Sequence, residues 1–171
     1  MRRSIARLRV SKIRQVTPAR EARLRSAVAQ RQAGLVVVLE DIHDPHNAAA
    51  VFRSCEAFGV QQVYLVYQRE AYVNPRRVGK SSSASASKWL TFTVFRSTKA
   101  CLAHLRRQRY QSLATVLNPA ATKLQKVMLK APRLALWFGN EYRGLSEEAV
   151  AGCDGSVYLP MRGLVESLNL S

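Results

Sequence analysis

Acidic residues are scarce in this sequence. Only 11 Asp and Glu stand against 27 Lys and Arg, which gives a formal net charge of +16 over 171 residues. Such an excess of positive charge attracts polyanions, so nucleic acid is the first class of partner to consider, and a basic surface that binds nothing is the alternative. With 47% hydrophobic residues, a chain of this length predicts one compact α/β domain with a real core and no second large domain.

Cysteines and long apolar runs are scarce as well. The three cysteines, Cys55, Cys101 and Cys153, are odd in number and far apart, so we expect reduced core thiols in a cytoplasmic protein and no disulfide framework. No apolar stretch reaches the length that spans a membrane, and the first residues lack the continuous apolar segment of a secretory signal. We therefore expect no membrane partner.

Several catalytic signatures are missing. There is no G-x-x-x-x-G-K-[ST] phosphate loop, no G-x-G-x-x-G after the first strand and no G-x-S-x-G nucleophile elbow. ATPases, dehydrogenases and hydrolases of those types are therefore disfavoured. His43 and His46 lie close to two aspartates, but no third clustered His or Cys accompanies them, so we predict no metal site.

The first 33 residues are the most basic part of the chain. They hold ten basic residues against one acid, Glu21, and supply +9 of the net charge. Thr17 followed by Pro18 is a good N-cap and first-turn pair, so we predict a basic helix in a run that Gly34 ends. We interpret residues 1–33 as a helical extension that contacts nucleic acid, and a solvated helix face that only covers the core is the alternative. The helix residues expected to make this contact are Arg20, Arg23 and Arg25.

From residue 34 onward, strand patterns alternate with helix patterns. Leu35 to Leu39 is an unbroken apolar run, rich in β-branched residues and too short for a helix, as expected of a strand buried on both faces. Asn47 can cap a helix that stops at Gly59. Further strands are predicted at residues 63–67, 90–95, 113–117, 134–138 and 156–159, and further helices at residues 97–107 and from Ser146. The fold class is therefore α/β, with a doubly wound, mostly parallel sheet.

Between two of the predicted strands lies a serine-rich basic loop, residues 76–88. Its cations expected to touch nucleic acid are Arg76, Arg77, Lys80 and Lys88. We predict that this loop becomes ordered on contact with phosphates, and a plain flexible linker is the alternative.

Three segments that follow predicted strands carry unusual sequences, at the edge where open parallel sheets bind their ligands. The first motif runs from Asn47 to Arg53. The second has the pattern G-x-E-x-x-G-L-S and is formed by Gly139, Glu141, Gly144, Leu145 and Ser146. The third has the pattern P-M-x-G-x-x-x-S-L-N and is formed by Pro160, Met161, Gly163, Ser167, Leu168 and Asn169. In order and spacing they resemble the motifs of the SpoU branch of the SPOUT RNA 2′-O-ribose methyltransferases. The basic N-terminal helix and Lys88-Trp89-Leu90 resemble the TrmH-type subgroup.

The resemblance implies a SPOUT-type α/β knot, a homodimer and S-adenosyl-L-methionine as methyl donor. The activity it implies is methyl transfer to a ribose 2′-hydroxyl of tRNA, with guanosine as the expected nucleotide. An rRNA substrate, or a non-catalytic RNA-binding scaffold of the same fold, is the alternative. Carried over by motif position, the cofactor-binding residues are Thr115, Gly139, Leu159, Met161 and Leu168. The residues around the reacting ribose, which we expect to be catalytic, are Asn47, Arg53, Glu141, Ser167 and Asn169.

The role of Arg53 is open at this point. The family mechanism uses this arginine as general base for the 2′-hydroxyl, but a guanidinium is effectively always protonated in proteins. Arg53 can instead hold a phosphate and stabilise the developing oxyanion with the charge it already carries. A surface arginine paired with Glu56 is the third interpretation.

The sequence departs from the family in a few places. Ala48-Ala49-Ala50 is a blander helix start than usual, and Leu170 stands where Val is common. Family members also continue beyond the position of Ser171 into a helix of the dimer interface. Residues 34–171 are therefore expected to form a methyltransferase domain that lacks its C-terminal helix and has an incomplete knot.

Overall fold

The computed structural model describes residues 16–78, 86–127, 131–164 and 169–170. The chain divides into two compact units, Met1–Gln30 and Arg31–Ser171. Within the described residues, no helix combines the length and the apolar character needed to cross a membrane.

The described part of the first unit is the helix α1 (Pro18–Ala29) with its flanks. The Thr17 hydroxyl accepts a hydrogen bond from the Arg20 N–H at 3.4 Å, and Pro18 occupies the first turn, as predicted. The helix ends at Ala29, so the prediction that Gly34 terminates it is wrong. None of its residues is buried, and its arginines are therefore open to solvent.

The second unit is a seven-stranded sheet with helices on both faces. Its elements are β1 (Gln32–Glu40), α2 (Pro45–Ala57), β2 (Val60–Val66), α3 (Ala86–Trp89), β3 (Thr91–Phe95), α4 (Thr98–Arg107), β4 (Gln111–Thr115), β5 (Thr122–Lys123), a 3₁₀ turn (Leu124–Lys126), β6 (Leu134–Phe138), α5 (Glu147–Gly152) and β7 (Gly155–Tyr158). The strand order is β3-β2-β1-β6-β4-β7-β5, and every pair of neighbours is parallel. The predicted doubly wound α/β fold is confirmed.

Hydrophobic clusters cover both faces of β1. Val37 and Leu39 belong to a cluster that includes Phe52 of α2, whereas Val36 and Val38 belong to a cluster that includes Leu105 of α4. Because successive side chains of a strand point to opposite faces, an unbroken apolar run is what a doubly covered strand requires. The prediction of a strand buried on both faces is confirmed.

Helix α2 begins earlier than predicted. Asp44 is its N-cap and accepts a hydrogen bond from the His46 N–H at 2.8 Å, while Pro45 occupies the first turn. The prediction that Asn47 caps this helix is wrong, because proline is suited to the first helical position and leaves the cap to the residue before it. Asn47 therefore lies inside the first turn, and its side chain is available for contacts outside the helix. Gly59, at φ 76°, follows the helix end as predicted.

Strand bounds differ from the prediction in several places. β1 and β2 each begin three residues early, β4 ends at Thr115, and the short β5 was not predicted. The early start of β1 depends on Gly34, where a Cβ would lie 2.1 Å from the carbonyl oxygen of Pro132. Glycine is therefore required at this position because another segment of backbone approaches it closely.

The three cysteines are free, and Cys55 and Cys101 are buried. Burial raises the pKa of the Cys55 thiol to about 12 and raises that of Cys101 as well. The prediction of unpaired core thiols is confirmed for these two. Cys153 is only partly buried, although burial raises its pKa to about 12 too.

Candidate active site at the carboxyl edge of the sheet

The segments after β1, β6 and β7 leave the sheet at one edge. β1 and β6 are neighbours, with Leu39 opposite Phe138, and β7 follows β6 across β4. Because the strands are parallel, their carboxyl ends share this edge, where ligands of such sheets bind. The first and second motifs therefore start side by side, and the third starts two strands away.

Glu141 joins the first motif to the second. One of its carboxylate oxygens accepts hydrogen bonds from the Asn47 side-chain amide at 2.9 Å and from the Asp44 N–H at 3.2 Å. The other oxygen accepts one from the His43 N–H at 2.9 Å. Burial alone would raise the pKa of Glu141, but these hydrogen bonds outweigh it and lower the pKa. A carboxylate is thus held against the start of α2, where the helix dipole also favours negative charge.

The second motif is a tight loop that closes on itself. Asn140 and Gly144 exchange backbone hydrogen bonds of 3.0 and 2.8 Å, and Gly144 has a left-handed φ of 67°. The Asn140 amide donates to the carbonyl oxygen of Asp41 at 2.7 Å, which ties the loop to the end of β1. A Cβ at Gly139 would lie 2.1 Å from the carbonyl carbon of Gly144. Gly139 is therefore required by the loop itself, whether or not a ligand approaches it.

Two buried carboxylates at the end of β1 were not identified from the sequence. Glu40 is 2% exposed and accepts hydrogen bonds from the Thr98 hydroxyl and from both the N–H and the hydroxyl of Ser146, the last two at 2.8 Å. Asp41, at φ 50°, accepts the N–H groups of residues 68–70 at 2.7 to 3.1 Å. The sequence signal that could have identified them is a pair of acidic residues directly after an apolar run. These two carboxylates fix the ends of the loops that surround the site.

A polar rim borders the same edge. Glu70 accepts a hydrogen bond from Arg143 at 2.6 Å and contacts the His43 ring nitrogen at 3.2 Å. The hydrogen bonds from Arg143 and His43 lower the pKa of the Glu70 carboxyl. Tyr142 is 86% exposed, and its ring meets that of His43 edge-on with centroids 5.9 Å apart. An exposed aromatic ring can stack on an unpaired base, and the sequence motifs did not point to this feature.

Arg53 does not join Asn47 and Glu141 within one chain. Six residues of helix place it roughly 9 Å further along α2 and on another side of the helix. Its side chain is exposed. The interpretation of a surface pair with Glu56 is wrong, because Glu56 instead contacts Arg31 at 3.5 Å.

The third motif is described only in part, since Ser167 and Leu168 lie outside the described residues. Asn169 is exposed, whereas Leu170 packs against the cluster that contains Phe52. Met161, at the start of this motif, is partly buried. Leu170 therefore lies on the face of the sheet that α2 covers.

An apolar patch lies where β4 and β7 end. Leu117 is 67% exposed and Leu159 is 49% exposed. Just before Leu117, the Val116 N–H donates a hydrogen bond to the Val157 carbonyl of β7 at 2.9 Å. An exposed apolar pair beside strand-end backbone groups fits the adenosine part of S-adenosylmethionine. The Thr115 hydroxyl donates a hydrogen bond to the Trp137 carbonyl at 2.7 Å.

The residues predicted to contact RNA are spread over both units. Arg20, Arg23 and Arg25 are exposed on α1, and Arg25 pairs with Glu21 at 2.7 Å. Arg76, Arg77 and Lys88 are exposed in the second unit, where the Arg76 guanidinium lies 6.0 Å from the centre of the Phe92 ring. Lys80 lies outside the described residues.

Among the residues that the structure describes, no group of three or more His, Cys, Asp or Glu side chains is arranged to hold a metal ion. The aspartates near His43 and His46 have structural hydrogen bonds instead: Asp41 binds backbone N–H groups and Asp44 caps α2.

The chain is similar to known RNA methyltransferases over most of its length. Residues 34–171 match the model of the SpoU rRNA Methylase family. The tRNA (guanosine(18)-2′-O)-methyltransferase of Escherichia coli is 34% identical over 156 residues, which are 91% of this chain and 66% of that protein. The protein of the same name from Thermus thermophilus is 34% identical over 162 residues, 93% of this chain and 79% of its own length. A 23S rRNA (guanosine-2′-O-)-methyltransferase of Xanthomonas axonopodis is 34% identical over 137 residues, 80% of this chain and 53% of the relative. The chain thus spans just under two thirds of the E. coli relative.

Solved structures agree with these sequence matches. The Aquifex aeolicus TrmH/SpoU tRNA modifying enzyme superposes with a TM-score of 0.76 at 28% identity and covers 89% of this chain and 75% of its own. A second solved structure, which concerns the 2-OH methylation of C/U34 on tRNA, superposes with a TM-score of 0.69 at 27% identity. The match covers 80% of this chain and 86% of that protein chain. The predicted family resemblance is confirmed by both kinds of comparison.

Proposed function

Because the chain belongs to the SpoU rRNA Methylase family, we propose that it transfers a methyl group from S-adenosylmethionine to a ribose 2′-hydroxyl of tRNA, with guanosine as the target. The observation that carries the proposal is the contact between Asn47 and Glu141, which unites two motifs at the ligand-binding edge. The E. coli and Thermus relatives favour tRNA. The Xanthomonas relative makes rRNA the second candidate.

The cofactor side of the site is proposed to lie at the ends of β4, β6 and β7. S-adenosylmethionine, when bound, supplies an electrophilic methyl group, and the thioether that departs is neutral. The exposed side chains of Leu117 and Leu159 are suited to cover an adenine ring. The other proposed contacts are Met161 and Leu168 and the backbone of Thr115 and Gly139.

The ribose side is proposed to lie between the first and third motifs. The Asn47 amide donates to Glu141, so its carbonyl oxygen remains able to accept a hydrogen bond from a ribose hydroxyl. Ser167 and Asn169 are proposed to surround the same sugar. Arg53 is proposed to act through its permanent positive charge, by holding a phosphate and stabilising the oxyanion that develops.

A homodimer and a knot complete the proposal. Since Arg53 lies far along α2 from Asn47 in one chain, a second copy is proposed to bring an Arg53 to the ribose. The position of Leu170, in the cluster of β1 and α2 and not beside β7, supports the SPOUT-type knot, because β4 and β6 separate β7 from β1 in the sheet. The free buried thiols of Cys55 and Cys101 are consistent with a cytoplasmic location.

RNA is proposed to be held by the exposed cations of both units. Those in the first unit are Arg20, Arg23 and Arg25, and those in the second are Arg76, Arg77, Lys80 and Lys88. Each neutralised phosphate releases counterions, so binding is expected to weaken steeply as salt rises.

The test is transfer of a tritium-labelled methyl group from S-adenosylmethionine to unmodified tRNA and, in parallel, to rRNA transcripts. Label is expected in tRNA, at the ribose of one nucleotide that alkaline hydrolysis and mapping can identify. Label in rRNA alone would establish the second candidate. Tight RNA binding without label in either RNA would overturn the proposed activity in favour of a non-catalytic scaffold.

A further inference from the structure

A groove lined by arginines lies at the amino edge of the sheet, on the far side from the candidate active site. It has a volume of about 450 Å³ and is lined by Arg107, Gln108, Arg109, Pro132 and Arg133. It sits where β4 and β6 begin, since Gln111 pairs with Leu134 and its N–H donates to the Arg133 carbonyl at 3.0 Å. All three arginines of the groove are exposed.

These arginines have no acidic partner in the part of the chain that the structure describes, where the ion pairs within 4.0 Å involve other residues. Arg133 donates to the Gln108 carbonyl at 2.8 Å, and its guanidinium lies 5.6 Å from the centre of the Tyr110 ring. Asp154, in the turn that leads into β7, accepts the Ser112 N–H at 2.7 Å. The groove is therefore cationic, and one of its guanidinium groups is held in place.

The backbone of Arg109 adds an independent observation. Helix α4 ends with the Arg109 N–H donating to Arg106 and the Tyr110 N–H donating to Leu105, at 2.9 and 3.0 Å, which is the Schellman arrangement. The residue in the left-handed position of this arrangement is normally glycine, because a Cβ is strained there. Helix α2 has Gly59 at the matching place, with φ 76°, whereas α4 has Arg109, with φ 58°. An arginine occupies a position where glycine would fit better, which points to a use for its side chain.

We propose that Arg107, Arg109 and Arg133 form a second binding site for RNA phosphates. This inference rests on the proposed RNA substrate. Planar guanidinium groups bind phosphate oxygens in pairs of hydrogen bonds, and a guanidinium with one donor engaged has four others left. The exposed positive charge of this groove attracts a polyanion such as RNA.

The distance to the active site suits a large folded RNA. Strand β6 has five residues, so the two edges are roughly 15 Å apart at about 3.3 Å per residue. An RNA that places one nucleotide at the carboxyl edge can therefore continue over the flank of the sheet to the amino edge. An RNA of only two or three nucleotides, bound at the carboxyl edge, would not reach the groove.

The test compares Arg109→Gly with Arg109→Lys in the full chain. The glycine variant removes the charge and relieves the backbone strain, so it is expected to melt at the same temperature as the parent or higher. Its affinity for a full-length tRNA transcript is expected to fall by about 3- to 10-fold at low salt. Log affinity falls as log KCl concentration rises, and between 50 and 200 mM the magnitude of this slope is expected to be smaller by about 1 in the variant. The lysine variant keeps the charge and the strain and is expected to keep the parent slope.

Three outcomes would overturn the inference. The first is an unchanged affinity and slope in Arg109→Gly. The second is an equal loss on an RNA of two or three nucleotides that carries the target nucleotide. The third is a lower melting temperature of Arg109→Gly, which would mean that the positive charge of Arg109 stabilises the C-terminal end of α4. Methyl transfer by the parent to the same RNA separates these outcomes from a failure of the proposed function, in which the parent itself would transfer no methyl group.

Discussion

The two edges of the sheet use charge in opposite ways. At the carboxyl edge, the carboxylates of Glu40, Asp41 and Glu141 accept hydrogen bonds from backbone N–H groups and side chains of the adjoining loops. At the amino edge, Arg107 and Arg109 are exposed, and no acidic side chain among the described residues lies within 4.0 Å of them.

This difference explains how a chain with 11 acids and 27 basic residues distributes them. The few acids at the active-site edge hold loops in place, because a carboxylate can accept several backbone donors at once. Among the residues that the structure describes, most Lys and Arg side chains have no acidic side chain within 4.0 Å and are available to a polyanion. Removal of an acid at the carboxyl edge should therefore reduce stability, whereas removal of an exposed cation that is proposed to contact RNA or the ribose should reduce function and leave stability unchanged.

The largest effect is expected for Arg53→Ala. Methyl transfer to tRNA should fall by a factor on the order of 10² to 10³, because a charge that stabilises the developing oxyanion is lost. S-adenosylmethionine affinity, measured by calorimetry, and the melting temperature should both stay near those of the parent, since Arg53 is exposed and lies away from the cofactor side.

Lys99→Ala is the matched control for this experiment. Lys99 is an exposed cation on α4 that has no place in the proposed site, and alanine keeps the helix. It should leave the transfer rate unchanged. A loss of cofactor affinity in Arg53→Ala would contradict the assignment of this residue to the ribose side.

Glu40→Gln is expected to be the most destabilising of the acid substitutions. The side chain is 2% exposed and accepts three hydrogen bonds, two of them from Ser146. A glutamine would turn an N–H₂ group towards these donors, so we expect a loss of about 2–3 kcal/mol in the free energy of unfolding. Urea denaturation measures it, with the exposed Glu147→Gln as control. Equal midpoints for the two variants would show that the Glu40 carboxylate does not hold the second motif.

The sequence was sufficient where structure follows from local pattern. Strand β6 has the predicted bounds. Strand β1 was identified because a strand that is covered on both faces needs an unbroken run of apolar residues. The helix start at Asp44 was missed because Asn47 is also a good capping residue, and Pro45 decides between them. The two-residue β5 is too short to have a pattern of its own.

The site was predictable only as far as its motifs extend. The Asn47 and Glu141 side chains, which were predicted to surround one ribose, are in contact. The partners of Glu40, which was not identified, are 58 and 106 residues away in the chain. Contacts at such separation depend on the whole fold and leave no local signal. Gly139 was interpreted as a place for ligand approach, whereas contact within its own loop already requires glycine.

Glu141→Gln should reveal the charge of the carboxylate through its pH dependence. Because folding lowers the pKa of Glu141, its ionised form stabilises the fold above the ordinary pKa of about 4.3, and this contribution is lost as the pH falls through the lowered value. At pH 7 we expect the variant to be less stable by about 1 kcal/mol, a value reduced for the partial exposure of the group. The difference from the parent should shrink towards zero in acid. A difference that stays constant from pH 7 to pH 3 would mean that shape and not charge holds Asn47.

The smallest effect is expected within α1, where it separates paired from unpaired cations. Arg25 pairs with Glu21 at 2.7 Å, whereas no such pair is found for Arg23 among the described residues. Arg23→Ala should reduce the salt slope of tRNA binding by about 1, and Arg25→Ala should reduce it by less, because Glu21 already offsets part of that charge. Glu21→Gln is the matched control and should strengthen binding, since it releases Arg25. Equal slopes for the parent and all three variants would remove α1 from the RNA contact and leave the second unit to bind RNA alone.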